Sequence, residues 1–208
     1  MAITKMSNSG IASTGSEKYN DMLAGNPPFI PSDYESIATV NVGAGGTASM
    51  SFTSIPSTYT HLQLRINARS TSTSANGIVM GMRFNGDTSS NYSLHYATGY
   101  QGIASGVESG AIANANQMYG AVFAADGNAT SIFGSAFVDI LDYKNTNKSK
   151  TIRSLTGYDI NGSTSGYSST TLYSGNWRSN SAITSIEFTL VAGNYAQYSS
   201  FALYGIRG

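Results

Sequence analysis

The segment from His61 to Arg69, HLQLRINAR, decides the fold class because its side chains alternate strictly between polar and apolar. Successive side chains of an extended strand point to opposite faces, so one face of this segment is apolar. That face carries Leu62, Leu64, Ile66 and Ala68. The pattern therefore predicts a β-strand that is buried on one face and in contact with water on the other.

The same two-residue period recurs along most of the chain after Tyr34. Further segments with this pattern are Ile78 to Phe84, Tyr92 to Tyr96, Tyr119 to Phe123, Ser131 to Asp142, Thr151 to Tyr158, Thr171 to Trp177, Ile186 to Val191 and Ser199 to Ile206. About ten strands separated by Gly, Ser, Asn and Thr clusters predict an all-β fold, an antiparallel β-sandwich of the jelly-roll type. A closed barrel is the alternative. Strongly and weakly alternating strands occur together, which favours two sheets with central and edge strands.

The apolar faces of these strands supply a predicted core. Its members are Leu62, Leu64, Ile66, Met80, Phe84, Val138, Phe188, Leu190, Phe201 and Leu203. The segment Ser131 to Asp142 differs because apolar residues occupy both of its faces, with Phe137 on one and Val138 on the other. A strand covered on both faces lies in the interior of a sheet, so this segment is predicted to be a central strand.

The first 33 residues lack the two-residue period and end in Asn26-Pro27-Pro28-Phe29-Ile30-Pro31, which holds three of the four prolines of the chain. Proline fixes φ and lacks an N–H donor, so this stretch is expected to be extended and to stay out of a sheet. We expect residues 1–33 to form an attachment arm with a proline-rich spacer and residues 34–208 to form one display domain. Spaced apolar residues in the arm fit ordering on a partner surface. The candidate attachment residues are Ile3, Met6, Met22, Leu23, Phe29 and Ile30.

The composition excludes several classes of protein. Without cysteine the chain has no disulfides and no thiolate metal sites. Its 11 acidic and 11 basic residues give no net charge, which argues against nucleic-acid binding because phosphate recognition needs a basic face. The longest apolar runs are far shorter than the roughly 20 residues of a membrane-spanning helix, and the N-terminus lacks the apolar region of a signal peptide. We therefore expect no membrane insertion and no secretion signal.

The same composition favours self-association. Only 11% of the residues are charged, against about 25% in a typical soluble domain. Little charge repulsion therefore keeps copies of the chain apart, and a homo-oligomer is expected.

The sequence offers no recognisable catalytic or metal-binding pattern. His61 and His95 fall on the polar faces of their strands, no G-x-S-x-G motif is present, and no two acids are placed to face one substrate. The loop Asn85 to Asn91 is rich in oxygen donors but lacks the regular spacing of a calcium loop. We therefore expect no enzyme, no cofactor and no metal site.

Tyrosine is the most informative residue type, with 14 copies in the chain. Exposed aromatic side chains beside Asn and Ser can stack on sugar rings or anchor protein contacts. The segment Gly166 to Trp177 is a candidate for such a surface, with Tyr167, Tyr173 and Trp177 as candidate glycan or partner contacts. The alternative is that these aromatic residues fill the sandwich core.

Several blocks of the sequence, in order, resemble a module of structural proteins from tailed bacteriophages, particularly aquatic ones. The blocks are YESIATV (Tyr34 to Val40), SFTSIPSTYTHLQLR (Ser51 to Arg65), RFNGDTSSNYSLH (Arg83 to His95), DILDYKNTNKSKTIRSLTGYD (Asp139 to Asp159) and QYSSFALYGIRG (Gln197 to Gly208). An N-terminal arm resembling MAITKM commonly precedes the module. The resemblance covers roughly residues 34–208 and includes no catalytic residues that carry over to this chain.

The resemblance implies a structural protein on the exterior of a virion, made in the host cytoplasm, with other virion proteins as partners. By analogy with virion appendages of this type, it also implies a homotrimer. Two positions on the particle stay open: a tail fibre with a host-adhesion role, or a capsid decoration protein with the same layout. A carbohydrate-binding module is the alternative of another class, and the two functions overlap if the displayed domain binds a host surface glycan.

Overall fold

The computed structural model describes residues 33–74, 76–101, 106–127, 131–160 and 167–208. The described residues from Asp33 onward belong to one compact unit. The six candidate attachment residues lie outside the described residues. They are Ile3, Met6, Met22, Leu23, Phe29 and Ile30.

Twelve β-strands make up the regular structure of the described residues. In chain order they are β1 (Tyr34–Asn41), β2 (Ser49–Phe52), β3 (His61–Ala68), β4 (Ile78–Phe84), β5 (Tyr92–Tyr100), β6 (Val107–Ala115), β7 (Met118–Phe123), β8 (Gly134–Leu141), β9 (Lys150–Tyr158), β10 (Ser169–Trp177), β11 (Ile186–Leu190) and β12 (Ser200–Ile206). No helix in the described ranges has the length and apolarity needed to span a lipid bilayer.

The strands form two antiparallel sheets that pack face to face. The large sheet has eight strands in the order β1-β12-β3-β8-β9-β10-β5-β6, and the small sheet has four in the order β2-β11-β4-β7. The predicted all-β antiparallel sandwich is therefore confirmed. Its jelly-roll topology is not confirmed. The segments identified from the sequence pattern did not include β1, β2, which is only four residues long, or β6, an edge strand with weak alternation.

The core lies between the two sheets and follows the predicted face assignment. Leu62, Leu64 and Ala68 of β3 have no exposed surface, and Ile66 is 4% exposed. Nine of the ten predicted core residues are buried, whereas Leu190 is only partly buried against the same cluster. The two-residue period therefore identified the interior of the sandwich.

The two sheets differ in size, and the small one covers only part of the large one. Its edge strand β7 packs on β8, β9 and β10 but makes only slight contact with β5, and β6 has no comparable packing against the small sheet. The inner face of the large sheet is therefore open at the β5–β6 edge. Side chains that point inward there line a cleft instead of a closed core.

The outer face of the large sheet carries an exposed apolar row. Strand β8 is the fourth of eight strands, so its predicted central position is confirmed. Its outward residue Phe137 is nevertheless half exposed and is paired in register with Leu155 of β9, which is paired with Leu172 of β10. Ala97 of β5 continues the row, and the Arg65 guanidinium lies 5.7 Å from the Phe137 ring centroid. We call Phe137, Leu155, Leu172 and Ala97 the outer-face row.

Replacing Leu64 by Ala is expected to lower the free energy of unfolding by about 2–5 kcal/mol, because the side chain is fully buried and leaves a cavity. The matched control is Leu141→Ala, a change of the same size at a side chain that is 43% exposed and lies outside the outer-face row, which should alter stability by less than about 0.5 kcal/mol. Chemical denaturation measures both. Equal losses for the two variants would contradict the assignment of inner and outer faces.

Candidate binding cleft

A cleft of about 450 Å³ opens where the large sheet extends beyond the small one. Tyrosine is its most frequent lining residue, and we call it the tyrosine cleft. Its six tyrosines are Tyr96, Tyr100, Tyr119, Tyr158, Tyr167 and Tyr173. They come from five parts of the chain: strands β5, β7, β9 and β10 and the segment before β10. The cleft is therefore a product of the tertiary fold and not of one local motif.

Strand register brings the aromatic rings together. Tyr96 of β5 lies directly opposite Tyr173 of β10, and their ring centroids are 6.2 Å apart. At the end of the same strand pair, Tyr100 and Tyr167 meet edge to face with centroids 6.4 Å apart. Tyr173 is 5% exposed and Tyr167 is 38% exposed, so the aromatic surface runs from the interior out to the rim.

Glu108 of edge strand β6 fixes two of these tyrosines. Its carboxylate accepts hydrogen bonds from the Tyr96 hydroxyl at 3.0 Å and from the Tyr100 hydroxyl at 3.2 Å. The bond to Glu108 raises the pKa of Tyr96, and burial followed by the bond to Glu108 raises the pKa of Tyr100. Both hydroxyls therefore stay protonated over the physiological range and hold the carboxylate at the mouth of the cleft.

Buried hydroxyl groups also line the cleft. The Thr98 and Thr171 hydroxyl oxygens are 3.0 Å apart, and both residues, together with Ser169, are buried. Farther along β5 and β10, away from the cleft, the inward-facing side chains are apolar. Examples are Leu94 on β5 and Trp177 on β10. On β5 and β10, polar inward-facing groups therefore lie at the end that lines the cleft.

Gly110 of β6 allows Tyr96 to lie close against the edge strand. A Cβ atom at this position would be 2.7 Å from the Tyr96 hydroxyl oxygen and 2.8 Å from its ring carbons. Glycine weakens a strand interior, but here it makes room for the close approach of an aromatic ring. The position of Tyr96 in the cleft therefore depends on the absence of a side chain at Gly110.

The structure brings two of the three candidate contact residues together. Tyr167 and Tyr173 both line the tyrosine cleft. Trp177 does not: it is 2% exposed, its ring stacks on Tyr92, and its indole N–H donates to the Asp87 carboxylate at 2.7 Å. The prediction that Trp177 is an exposed contact is therefore wrong, because β10 directs its side chain into the core.

Sequence reasoning missed Glu108 and did not group Tyr96 with Tyr100. The even spacing of these two tyrosines was a usable signal, because residues four apart on a strand share a face. Glu108 gave no comparable signal, since the segment around it was not predicted to be a strand.

Asp87 has a structural role in the oxygen-rich loop from Asn85 to Asn91. Its carboxylate accepts hydrogen bonds from the Trp177 indole, from the Asn91 side chain at 3.1 Å and from the Ser89 backbone N–H at 2.8 Å. The bond from Trp177, followed by those from Asn91 and Ser89, lowers the pKa of Asp87 to about 2. Across the described part of the chain, no group of three or more His, Cys, Asp or Glu side chains is placed to hold a metal ion.

A second depression, of about 630 Å³, lies on the outer face of the large sheet beside Phe133, Phe137 and Leu155. It is broad and shallow, and its lining residues form an open surface. The tyrosine cleft is smaller but lies between the sheets, where aromatic rings, hydroxyls and a carboxylate converge. Convergent polar groups in a largely aromatic concavity are typical of ligand sites, so the tyrosine cleft is the stronger candidate.

Comparisons of the chain with protein-family models, with curated proteins and with solved structures find no match. The chemistry of the cleft is therefore the basis for a functional assignment. Glu108 is the one acidic side chain among the described lining residues, and it already accepts two hydrogen bonds. The arrangement provides contacts for a ligand and does not place a second carboxylate opposite the first.

The low pKa of Asp87 predicts a pH-dependent contribution to stability. Its folded pKa of about 2 lies below the ordinary value of 3.8, so the contribution is complete above the ordinary value and is lost as the pH falls toward 2. Replacing Asp87 by Asn should therefore cost about 1–3 kcal/mol at pH 6, and the difference from the unmodified chain should shrink at pH 2. Thermal melts at the two pH values measure it. The control is Asp33→Asn, at an exposed acid, and an equal loss in both variants would contradict the assignment.

Proposed function

We propose that the chain is a non-enzymatic structural protein of a tailed-bacteriophage virion. Residues 1–33 attach it to the particle, and residues 34–208 display the sandwich outward. The resemblance of five ordered sequence blocks to phage structural proteins supports this role. The exterior of the virion is the proposed location, with synthesis in the host cytoplasm and other virion proteins as partners.

The observation that carries the proposal is that the chain's entrance and the tyrosine cleft lie at opposite edges of the large sheet. The chain enters the sandwich at edge strand β1, where Tyr34 pairs with Ile206 and the Arg207 backbone N–H donates to the Asp33 carbonyl at 2.9 Å. The tyrosine cleft lies at the opposite edge, beside β5 and β6. At about 4.8 Å per strand, the two edges of this eight-stranded sheet are roughly 34 Å apart along the sheet. The cleft therefore lies at the edge opposite the strand at which the chain enters the sandwich.

This separation of the chain's entrance from the cleft favours a host-adhesion role of the tail-fibre type, because an adhesin needs its binding surface directed away from the particle. A capsid decoration protein with the same arm and sandwich is the alternative position. Immunogold labelling with antibodies against residues 34–208 distinguishes the two positions on purified particles. Labelling of neither the tail nor the capsid surface would contradict the virion role.

We also propose self-association into a homotrimer. Two features support it: the low charge of the chain, and the outer-face row, in which Phe137, Leu155 and Leu172 are each 47–52% exposed. Contiguous exposed apolar residues are typical of protein–protein contacts. Burying this row between subunits would leave both the chain's entrance at β1 and the tyrosine cleft accessible.

Deleting residues 1–25 is expected to separate attachment from folding. The truncated chain should keep the melting temperature and oligomeric state of the full chain, because all residues of the described core follow Asp33. It should fail to assemble onto particles, which a pull-down with purified virions measures. Full incorporation of the truncated chain would place attachment in the sandwich, and unfolding would make the arm part of the fold.

Light scattering of the purified chain tests the oligomer. A trimer has a mass of three times 21.8 kDa, and Leu155→Lys should reduce that mass toward the monomer because it places a charge in the middle of the outer-face row. The matched control is Val191→Lys, at an exposed apolar residue outside the row, which should leave the trimer intact. A monomeric full chain, or an equal response of the two variants, would contradict the proposed interface.

A further inference from the structure

We propose that the tyrosine cleft is a binding site for a neutral saccharide. The inference adds a ligand to the display role proposed above. It can fail or succeed independently of that role, because binding is measured with the purified chain and the virion role is tested on particles. Three properties of the cleft carry it: its aromatic surfaces, its fixed hydrogen-bonding groups and its charge.

The aromatic surfaces match the shape of a sugar ring. A pyranose has faces of C–H groups and an equator of hydroxyls, so it packs on a flat ring while its edge makes hydrogen bonds. Tyr167 is exposed at the rim, Tyr96 and Tyr100 are partly exposed, and Tyr173 forms the inner end of the aromatic surface. Tyrosine suits such a boundary because its ring is apolar and its tip is polar. The volume of about 450 Å³ lies within the range of about 300–1,000 Å³ for small-ligand sites.

The hydrogen-bonding groups are held in place before a ligand arrives. Glu108 is anchored by Tyr96 and Tyr100, and the hydroxyls of Thr98 and Thr171 are paired with each other. An ionised carboxylate has about four acceptor positions, so Glu108 retains capacity for sugar hydroxyls after accepting two bonds. Rigid groups lower the entropic cost of binding. This favours a ligand that donates several hydrogen bonds from neighbouring hydroxyls.

The charge of the cleft selects against anionic ligands. Among the described lining residues there is no Lys, Arg or His, and Glu108 contributes a negative charge. Sialylated, uronic or sulfated sugars and nucleic acids would bring their own negative charge next to this carboxylate without a compensating cation. A neutral saccharide meets no such repulsion.

The experiment measures binding of the full chain to an array of immobilised glycans that contains both neutral and acidic members. The neutral saccharide with the strongest signal is then titrated by calorimetry against three variants. Tyr167→Ala should weaken binding about five- to tenfold by removing an aromatic surface, and Glu108→Gln should weaken it about tenfold by removing the charged acceptor. Tyr198→Ala is the matched control, since Tyr198 is 74% exposed and lies outside the cleft, and it should bind as the unmodified chain does. Melting temperatures verify that all variants are folded.

Neutral glycans bound by the full chain, with losses in the two cleft variants only, support the proposal. Binding to acidic glycans alone, or to no neutral glycan, overturns it, as does an equal effect of Tyr198→Ala. Aromatic grooves also bind proline-rich peptides, and the chain itself contains Pro28-Phe29-Ile30-Pro31. A synthetic peptide of residues 24–33 is therefore titrated in parallel. Tighter binding of this peptide than of any neutral glycan would overturn the saccharide assignment in favour of a peptide ligand.

Discussion

A four-stranded sheet cannot cover the inner face of an eight-stranded one, and the arrangement of this molecule follows from that mismatch. Where the small sheet lies over the large one, the interior is closed by residues such as Leu64, Phe188 and Phe201. Beyond β7 the described residues provide no second layer over the large sheet, so its inward side chains there line an open cleft. Tyrosine, threonine and serine suit such a cleft, because each combines carbon atoms that pack with a hydroxyl that forms hydrogen bonds. The tyrosine cleft is therefore the structural consequence of unequal sheets.

The two edges of the large sheet differ in what they hold. One edge holds the start and the end of the sandwich, with β1 paired to β12, and the other edge holds the cleft. Between them the outer-face row crosses the central strands and is not part of either edge. The proposed self-association surface and the proposed ligand site are therefore distinct, and neither includes the edge strand at which the chain enters the sandwich.

The alternation of apolar and polar residues predicted the sandwich, the buried face of β3 and nearly all of the predicted core. It did not predict how twelve strands divide between two sheets, because strand pairing depends on contacts between distant residues. Trp177 illustrates the limit: its position on a strand was predicted, but its burial depends on the loop that brings Asp87 to its indole N–H.

Lys150 is a second residue whose environment the sequence did not predict. It follows two other lysines in a polar connection, yet it is fully buried, and its ammonium donates to the carbonyls of Asn145, Lys148 and Asn180.

A crystal structure of the full chain with the neutral saccharide that binds most tightly tests the central claim most directly. The account predicts a sugar ring packed on a tyrosine of the cleft, with at least one hydroxyl within hydrogen-bond distance of the Glu108 carboxylate. It also predicts little movement of Tyr96 and Tyr100, because Glu108 already holds them. A saccharide bound on the outer face beside Phe137 and Leu155, with the tyrosine cleft free of ligand, would contradict it.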